Sequence, residues 1–349
     1  MSIPVRYFAI VTLTPAMLLL AGGIWGGGWV FAALGWMILA AFAIDELAPE
    51  IDFRRAPVPL RGATALSVVL ALAHFALLFL AVRLVSGAGG GSPGPGMRLV
   101  AFLAFGLFFG QVSNANAHEL IHRRERGLFR LGEWVFISLL FGHHVSAHRL
   151  VHHVHVATDR DPNTARAGES FYHFLPRAWF GSFREGLRAE AARRGGRAMA
   201  AGPYARYLGG ALALLALSWR LAGWPGVAAH LALAGYATVQ ILLSDYVQHY
   251  GLSRALSRKG ARGRRAGAPE AVSAAISWDA PQRISALFML NAPRHSDHHM
   301  HPARPYPALE LPDEAGRLPH PLAIMGALAL CPRRWRQVMD ARLARRTRQ

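Results

Sequence analysis

The sequence predicts an all-α integral membrane protein in which six transmembrane helices carry a cytoplasmic cap rich in histidine. Hydrophobic residues make up 53% of the 349 residues and charged residues only 17%, which argues against a disordered chain and an ordinary soluble enzyme. Several apolar segments approach the ~20 residues that a bilayer-spanning helix needs. Twelve of the 17 histidines fall within residues 118–155 and 295–301, so chemistry is expected in two short regions.

Six apolar segments are predicted to span the membrane. The first two are separated by the uncharged, glycine-rich link Gly23–Gly27, and the last two by a tight turn at Trp224–Pro225. The predicted spans are 7–23, 28–44, 63–85, 99–117, 205–223 and 226–244.

The distribution of arginine orients these helices. The links 24–27 and 86–96 carry no charge, whereas 45–62, 118–204 and 245–349 hold most of the basic residues of a chain with net charge +18. Positive residues gather in cytoplasmic loops. We therefore expect residues 1–349 to form one membrane domain in a bacterial cytoplasmic (inner) membrane, with both termini and the histidine-rich segments in the cytoplasm. The apolar content makes nucleic acid an unexpected partner for this basic chain.

Three histidine clusters and one isolated histidine supply candidate metal ligands. His118 and His122 directly follow the fourth span, and their i, i+4 spacing places both imidazoles on one helical face. His148 and His152 have the same spacing, and the third cluster is spaced i, i+3, i+4. The nine candidates are His118, His122, His148, His152, His153, His249, His295, His298 and His299.

The number of histidines indicates the chemistry better than their type does. Imidazole binds iron, zinc, copper and nickel alike, and a catalytic zinc ion takes three protein ligands, so nine ligands suit two metal ions. The single cysteine, Cys331, excludes a cysteine-held iron–sulfur cluster and a cysteine-rich zinc site. Two histidine-bound metals beside an apolar interior favour iron and oxygen chemistry on a lipid-like molecule.

Two other functions remain open at this point. Residues 118–122 match the H-E-x-x-H pattern of zinc metalloproteases, but an intramembrane protease would leave the other clusters unexplained. A metal-transport protein would place its ligands near the bilayer midplane, whereas these clusters lie at one face.

Neighbouring residues are candidates for a substrate pocket and for support of the ligands. Helical periodicity places four residues of the fourth span on the His118 face, where they would line a pocket: Leu107, Gly110, Gln111 and Asn114. Acidic and amide groups near the clusters could orient metal-bound imidazoles: Glu119, Asp159, Asp161, Glu169, Asp245, Gln248 and Asp297.

The clusters resemble those of the integral-membrane alkane monooxygenases, within the superfamily of membrane fatty-acid desaturases and hydroxylases. The resemblance lies in His118–His122, His148–His153, His295–His299 and the Tyr-x-x-His-Tyr-Gly-Leu sequence around His249. It extends to the connecting segments 156–162 and 168–172. The chain differs at Ala147, Asp245 and Gln248, where the family usually has Glu, Asn and Glu.

The resemblance implies a six-helix bundle and O2-dependent hydroxylation of a terminal methyl group, with an alkane as the apolar substrate. It further implies two non-haem iron ions held by the nine histidines, with no catalytic side chain beyond the metal centre. Fatty-acid desaturation or hydroxylation and methylarene hydroxylation, both in the same superfamily, are the alternatives.

A separate electron carrier is also expected. The resemblance implies rubredoxin or ferredoxin with an NAD(P)H-dependent reductase, and the chain has neither the cysteines nor a glycine-rich nucleotide motif to hold its own redox group. Basic patches attract acidic partners, although these residues could equally contact anionic membrane lipid. The candidates are Arg254, Arg258, Lys259, Arg262, Arg264, Arg265, Arg333, Arg334 and Arg336.

Overall fold

The computed structural model describes residues 3–47, 61–88, 93–195, 202–255 and 269–346. These residues are mainly helical, and two short strands, β1 (Trp278–Asp279) and β2 (Gly316–Arg317), pair in parallel. The helices are α1 (Val5–Trp25), α2 (Gly28–Ala43), α3 (Arg61–Ser86), α4 (Pro95–Ile121), α5 (Arg126–Ser138), α6 (144–155), α7 (Phe171–Arg193), α8 (Pro203–His249), α9 (Ile284–Phe288), α10 (His295–Met300), α11 (Leu322–Ala329) and α12 (Pro332–Arg346).

Four of the described helices are long and apolar enough to cross a membrane, by length and composition. They are Val5–Trp25, Gly62–Ser86, Pro95–Ile121 and Pro203–His249, and Gly28–Ala43 is a shorter apolar helix. The predicted spans 7–23, 63–85 and 99–117 lie within the first three of these helices. The predicted spans 205–223 and 226–244 both lie within α8.

Helix α8 is a helical hairpin and not one straight rod. Ala222 and Gly223 have non-helical backbone angles, and Ser218 Oγ lies 2.8 Å from His230 Nδ1. Twelve residues of continuous helix would separate these positions by about 18 Å, so the chain reverses direction between them. Gly223 has a φ of 59°, which glycine adopts without steric cost.

The two intramembrane histidines stabilise this packing, away from the histidine clusters. His74 Nε2 lies 2.7 Å from Ser138 Oγ, and His230 Nε2 lies 2.7 Å from the Ser138 carbonyl oxygen. Both rings are buried. Their contacts join α3 and α8 to the end of α5, which accounts for polar groups in otherwise apolar helices.

Three short π-helical turns interrupt the described helices, at residues 39–43, 109–113 and 148–152. A π-helix bonds each residue to the one five positions away, and such turns are frequent at functional sites. The backbone N–H of His153 accordingly donates to the carbonyl oxygen of His148. The sequence predicted that His148 and His152 would share a face, and the π-turn adds His153 to the neighbours of His148.

Carboxylates fix the segment that carries the third histidine cluster. Asp45 accepts hydrogen bonds from the backbone N–H groups at the start of α9, at Arg283, Ile284 and Ser285. Asp279 accepts both the backbone N–H and the hydroxyl of Ser296. Because Ser296 follows His295 directly, these contacts set the position of α10 against the helical bundle.

Candidate metal centre

Within the described residues, nine histidines form two groups in which the ring nitrogens lie within 4.8 Å of one another. The first group is His118, His122, His148, His153 and His298. The second group is His152, His249, His295 and His299. These are the nine residues predicted from the sequence, and they come from α4, α6, α8 and α10.

The first group converges on the Nε2 atom of His148. That atom lies 2.8 Å from His118 Nε2, 3.1 Å from His122 Nε2 and 2.9 Å from His153 Nε2. A neutral imidazole nitrogen has either one hydrogen to donate or one lone pair to accept with, so hydrogen bonding cannot satisfy three such contacts. A shared cation can, because every ring then offers its lone pair to the same point.

The second group has the same character. His295 Nε2 lies 3.1 Å from His249 Nε2 and 3.0 Å from His299 Nε2. His249 Nδ1 lies 3.1 Å from the carbonyl oxygen of Ile276, so Nδ1 carries the hydrogen and the lone pair remains on Nε2. The Nε2 atom of His152 is buried without a hydrogen-bond partner. A buried ring nitrogen without a hydrogen-bond partner is typical of a histidine that binds a metal ion.

The two groups are adjacent. His152 and His153 are consecutive, yet each belongs to a different group. The rings of His153 and His299 lie 4.6 Å apart across the boundary. One turn of α6 therefore contributes ligands to both groups.

The distances and the ionisation of these residues fit bound transition metals. Two ligands at right angles, each about 2.0–2.1 Å from a metal, lie about 2.9 Å apart, which is close to the nitrogen–nitrogen distances above. Burial, followed by neighbouring histidines, holds the pKa of His148, His153 and His299 well below the usual value. Metal binding requires neutral imidazole, and four or five imidazoles suit iron, zinc, copper or nickel.

Asp161 is the predicted acidic residue that contacts a cluster histidine. Its Oδ2 lies 2.8 Å from His152 Nδ1, and it also accepts the Asn163 backbone N–H and the Thr164 hydroxyl. Burial opposes charge on both partners, but their attraction raises the pKa of His152 and lowers that of Asp161. Asn163 in turn donates to Asp245 at 2.7 Å, so Asp245 joins the network indirectly.

The other predicted supporting residues have different partners, and in the described part of the chain none of them hydrogen-bonds a cluster histidine. Glu119 pairs with Arg123, Glu169 with Arg177, and Asp297 with Arg304. Gln248 accepts from Ser244 and donates to the Ala292 carbonyl, and Asp159 is exposed. These residues stabilise the surrounding segments instead.

One contact was not anticipated from the sequence, and a second involves a histidine that flanks the clusters. The Ile276 carbonyl, which orients His249, is a backbone group and leaves no residue-type signal. His144 is buried with neither ring nitrogen hydrogen-bonded, and its ring stacks on that of His148 at 5.0 Å. His144 lies four residues before His148, and this spacing places the two rings on one helical face.

A cavity of about 240 Å³ opens beside both groups of histidines. The four predicted pocket residues, Leu107, Gly110, Gln111 and Asn114, all line it, together with His118, His148 and His295. Most of the remaining lining residues come from the second arm of α8 and from α11, and Phe42, Met289 and Ala292 add further apolar contacts. The sequence did not identify these walls because they are remote along the chain.

Polar side chains span part of this cavity. Gln111 Nε2 donates to Gln240 Oε1 at 2.9 Å, Gln240 Nε2 donates to the Gly106 carbonyl at 2.9 Å, and Asn114 Nδ2 donates to the Ala237 carbonyl at 2.8 Å. These bonds join α4 to α8 and so fix the width of the cavity.

Replacement of Asp161 by asparagine is expected to weaken metal binding about 10- to 100-fold, because the carboxylate that accepts from His152 Nδ1 is lost. Metal retained by the purified protein after titration with a chelator would measure the change. Asp159→Asn is the matched control, since Asp159 is two residues away and exposed. Equal chelator resistance of the two variants would contradict the role assigned to Asp161.

The predicted carrier-binding residues are only partly described. Arg258, Lys259, Arg262, Arg264 and Arg265 lie outside the described residues, as do Arg54 and Arg55 of the link 45–62, which was predicted to be cytoplasmic. Arg333, Arg334 and Arg336 are exposed on α12. Arg254 donates to the carbonyl oxygens of Val154 and Glu270.

Comparison with known proteins relates this sequence to fatty acid desaturases and to alkane monooxygenases. The family model described as fatty acid desaturase matches residues 93–312, a range that contains all nine histidines. Alkane 1-monooxygenase 1 of Pseudomonas aeruginosa is 34% identical over 251 residues, which cover 70% of this chain and 64% of that protein.

Two further relatives show the same pattern. Alkane 1-monooxygenase 2 of Alcanivorax borkumensis is 29% identical over 281 residues, covering 79% of this chain and 71% of that protein. Alkane 1-monooxygenase of Acinetobacter baylyi is 30% identical over 269 residues, which cover 70% of this chain and 59% of that protein. The chain thus spans less than two thirds of the Pseudomonas and Acinetobacter proteins.

Proposed function

Because the chain belongs to the fatty acid desaturase family and resembles alkane monooxygenases, we propose that it is an O2-dependent non-haem di-iron monooxygenase. The proposed reaction is hydroxylation of the terminal methyl group of an apolar substrate such as a medium- or long-chain alkane. The nine clustered histidines are proposed as the ligands of two iron ions.

One observation supports this function above the others: two adjacent groups of imidazoles border a mostly apolar cavity. The iron ions, when bound, would supply the activation of O2. The chain supplies the positions of the ligands, the exclusion of water and the orientation of the substrate.

The residues that line the cavity would orient the substrate. Leu107 and the apolar walls from α8 and α11 accommodate a hydrocarbon chain, and the imidazoles of His118, His148 and His295 border the same space. A substrate lying in this cavity presents carbon atoms to the metal centre while its remaining length is held away from water. No side chain is needed as a nucleophile or as a general acid.

The proposal is tested by identifying the product. Iron-loaded protein, supplied with O2 and reducing equivalents, is expected to convert an n-alkane to its primary alcohol, and gas chromatography with mass spectrometry would identify it. A panel of fatty acids and methylarenes, assayed with the same preparation, is the comparison. A new carbon–carbon double bond as the main product would instead assign a desaturase, which the family match favours as the second candidate.

The protease alternative has less support. His118 and His122 belong to a group with three further histidines, whereas a metalloprotease site needs three protein ligands and an open position. Metal transport is disfavoured because both groups lie at the ends of apolar helices and in the segments that follow them.

We further propose six spans with both termini in the cytoplasm of a bacterial inner membrane. The hairpin in α8 and the shorter helix Gly28–Ala43 support this number, and the arginine distribution supports the orientation. Reporter fusions after residues 25 and 90 are expected to indicate the outside, and fusions after residues 55 and 260 the inside. A reversed signal at residue 260 would contradict the orientation.

A further inference from the structure

A second cavity, of about 370 Å³, is lined by charged residues and by none of the nine histidines. It lies between α5, α6, the end of α7 and the start of α8. Five arginines and two glutamates line it: Arg130, Arg149, Arg193, Arg194, Arg206, Glu133 and Glu190. Three positive charges are therefore in excess.

Glu133 already has two arginine partners. It is fully buried, accepts from Arg206 at 2.7 and 3.0 Å through both carboxylate oxygens, and accepts from Arg130 at 2.5 Å. Glu190, also buried, accepts from Ser146 at 2.8 Å and from Arg194 at 3.4 Å. Both carboxylates are thus committed to other partners.

Arg149 and Arg193 form no ion pair within the described residues. The guanidinium of Arg149 lies 4.9 Å from the centre of the Phe129 ring, a contact that holds its orientation. Arg193 lines the same cavity as Arg149. An anion in the cavity would balance these two positive charges, and guanidinium groups bind phosphate oxygens with two parallel hydrogen bonds.

The cavity adjoins an apolar surface. Trp134, next to Glu133, packs against Gly210 of α8 and is 38% exposed. Leu217 lies two turns further along α8, on the same face as Gly210, and is 56% exposed. Exposed apolar residues beside a tryptophan near the end of a membrane helix are typical of the lipid interface.

We propose that this cavity binds the phosphate group of an anionic phospholipid, with Arg149 and Arg193 as its principal ligands. The acyl chains lie along the exposed side chains of Trp134 and Leu217. Basic cavities between membrane helices on the cytoplasmic side have this use in general. The apolar border favours a lipid over free phosphate, which shares the same chemistry.

Retention of phosphatidylglycerol by the detergent-purified protein tests the proposal, counted by native mass spectrometry. The double variant Arg149→Gln with Arg193→Gln is expected to retain the lipid about tenfold less strongly than the unaltered protein. Arg184→Gln with Arg188→Gln is the matched control, because both residues lie on α7, pair with Glu185 and are outside this cavity. Metal content and thermal unfolding verify that each variant is folded.

Two further arms make the outcome decisive. Because Arg149 follows His148 directly, the double variant could lose metal. The single variant Arg193→Gln, at a residue remote in sequence from the metal ligands, then measures the contribution of the cavity to lipid retention. Inorganic phosphate, added in place of the lipid, distinguishes the sources: competition by phosphate together with weaker lipid retention in the variants supports a lipid phosphate site. Equal lipid retention by the unaltered protein, both cavity variants and the control would overturn the proposal.

Discussion

Replacement of His148 by alanine is expected to abolish product formation and to reduce bound metal more than any other single change in the chain. Its Nε2 atom lies within 3.1 Å of the Nε2 atoms of His118, His122 and His153. Removal of this ring takes away the contact that the other three share. The expected loss of activity is at least about 100-fold, since loss of a residue that merely supports a ligand already costs 10- to 100-fold.

Elemental analysis and turnover measured on the same preparation would check this expectation. His155→Ala is the matched control, because His155 lies on the same helix, is half-buried and belongs to neither histidine group. We expect the control to keep its metal. Full metal content in His148→Ala would rule out the assignment of the first group as a metal site.

The second large effect is expected from the electron supply. With substrate, O2 and NADH alone, the purified protein is expected to form no alcohol until a rubredoxin- or ferredoxin-type carrier and its reductase are added. The chain has one cysteine, Cys331, which cannot hold an iron–sulfur centre of its own. Each hydroxylation nevertheless consumes two electrons, so they must come from outside the chain.

Alcohol formation measured at increasing carrier concentration would check this dependence. Reversal of charge at Arg333 and Arg334, exposed on α12, is expected to slow turnover only when the carrier is limiting, because opposite charge mainly raises the rate of association. The same substitutions should leave metal content unchanged. Turnover with NADH and no carrier would refute the dependence, and unchanged carrier kinetics would remove α12 from the docking surface.

The sequence predicted the candidate metal ligands through the clustering of histidines and the candidate pocket residues through helical periodicity. His118 and His122 on one helical face, and Leu107, Gly110, Gln111 and Asn114 on the same face, follow from 3.6 residues per turn. The structure places all nine histidines in two groups and all four pocket residues around one cavity. Such local geometry is predictable because it depends only on residues close together in the chain.

Six acidic residues and Gln248 were predicted to support the candidate ligands. Nearness to a cluster along the chain suggested seven residues, and in the described structure Asp161 is the member that bonds a cluster histidine. Asp159 is only two residues away and exposed. Whether a carboxylate reaches an imidazole depends on how a loop folds back, and residue type alone does not encode that.

The sequence by itself determined the apolar helices, the nine histidines and the inward face of α4, since each depends on composition or on helical period. Only the tertiary structure decided how the histidines divide. The π-helical turn at 148–152 brings His153 beside His148 in the first group. His152 instead belongs to the second group, whose other members are His249 from α8 and His295 and His299 from α10. The two groups join residues up to 180 positions apart, and they exist only because burial of the apolar helix faces brings the helix ends together.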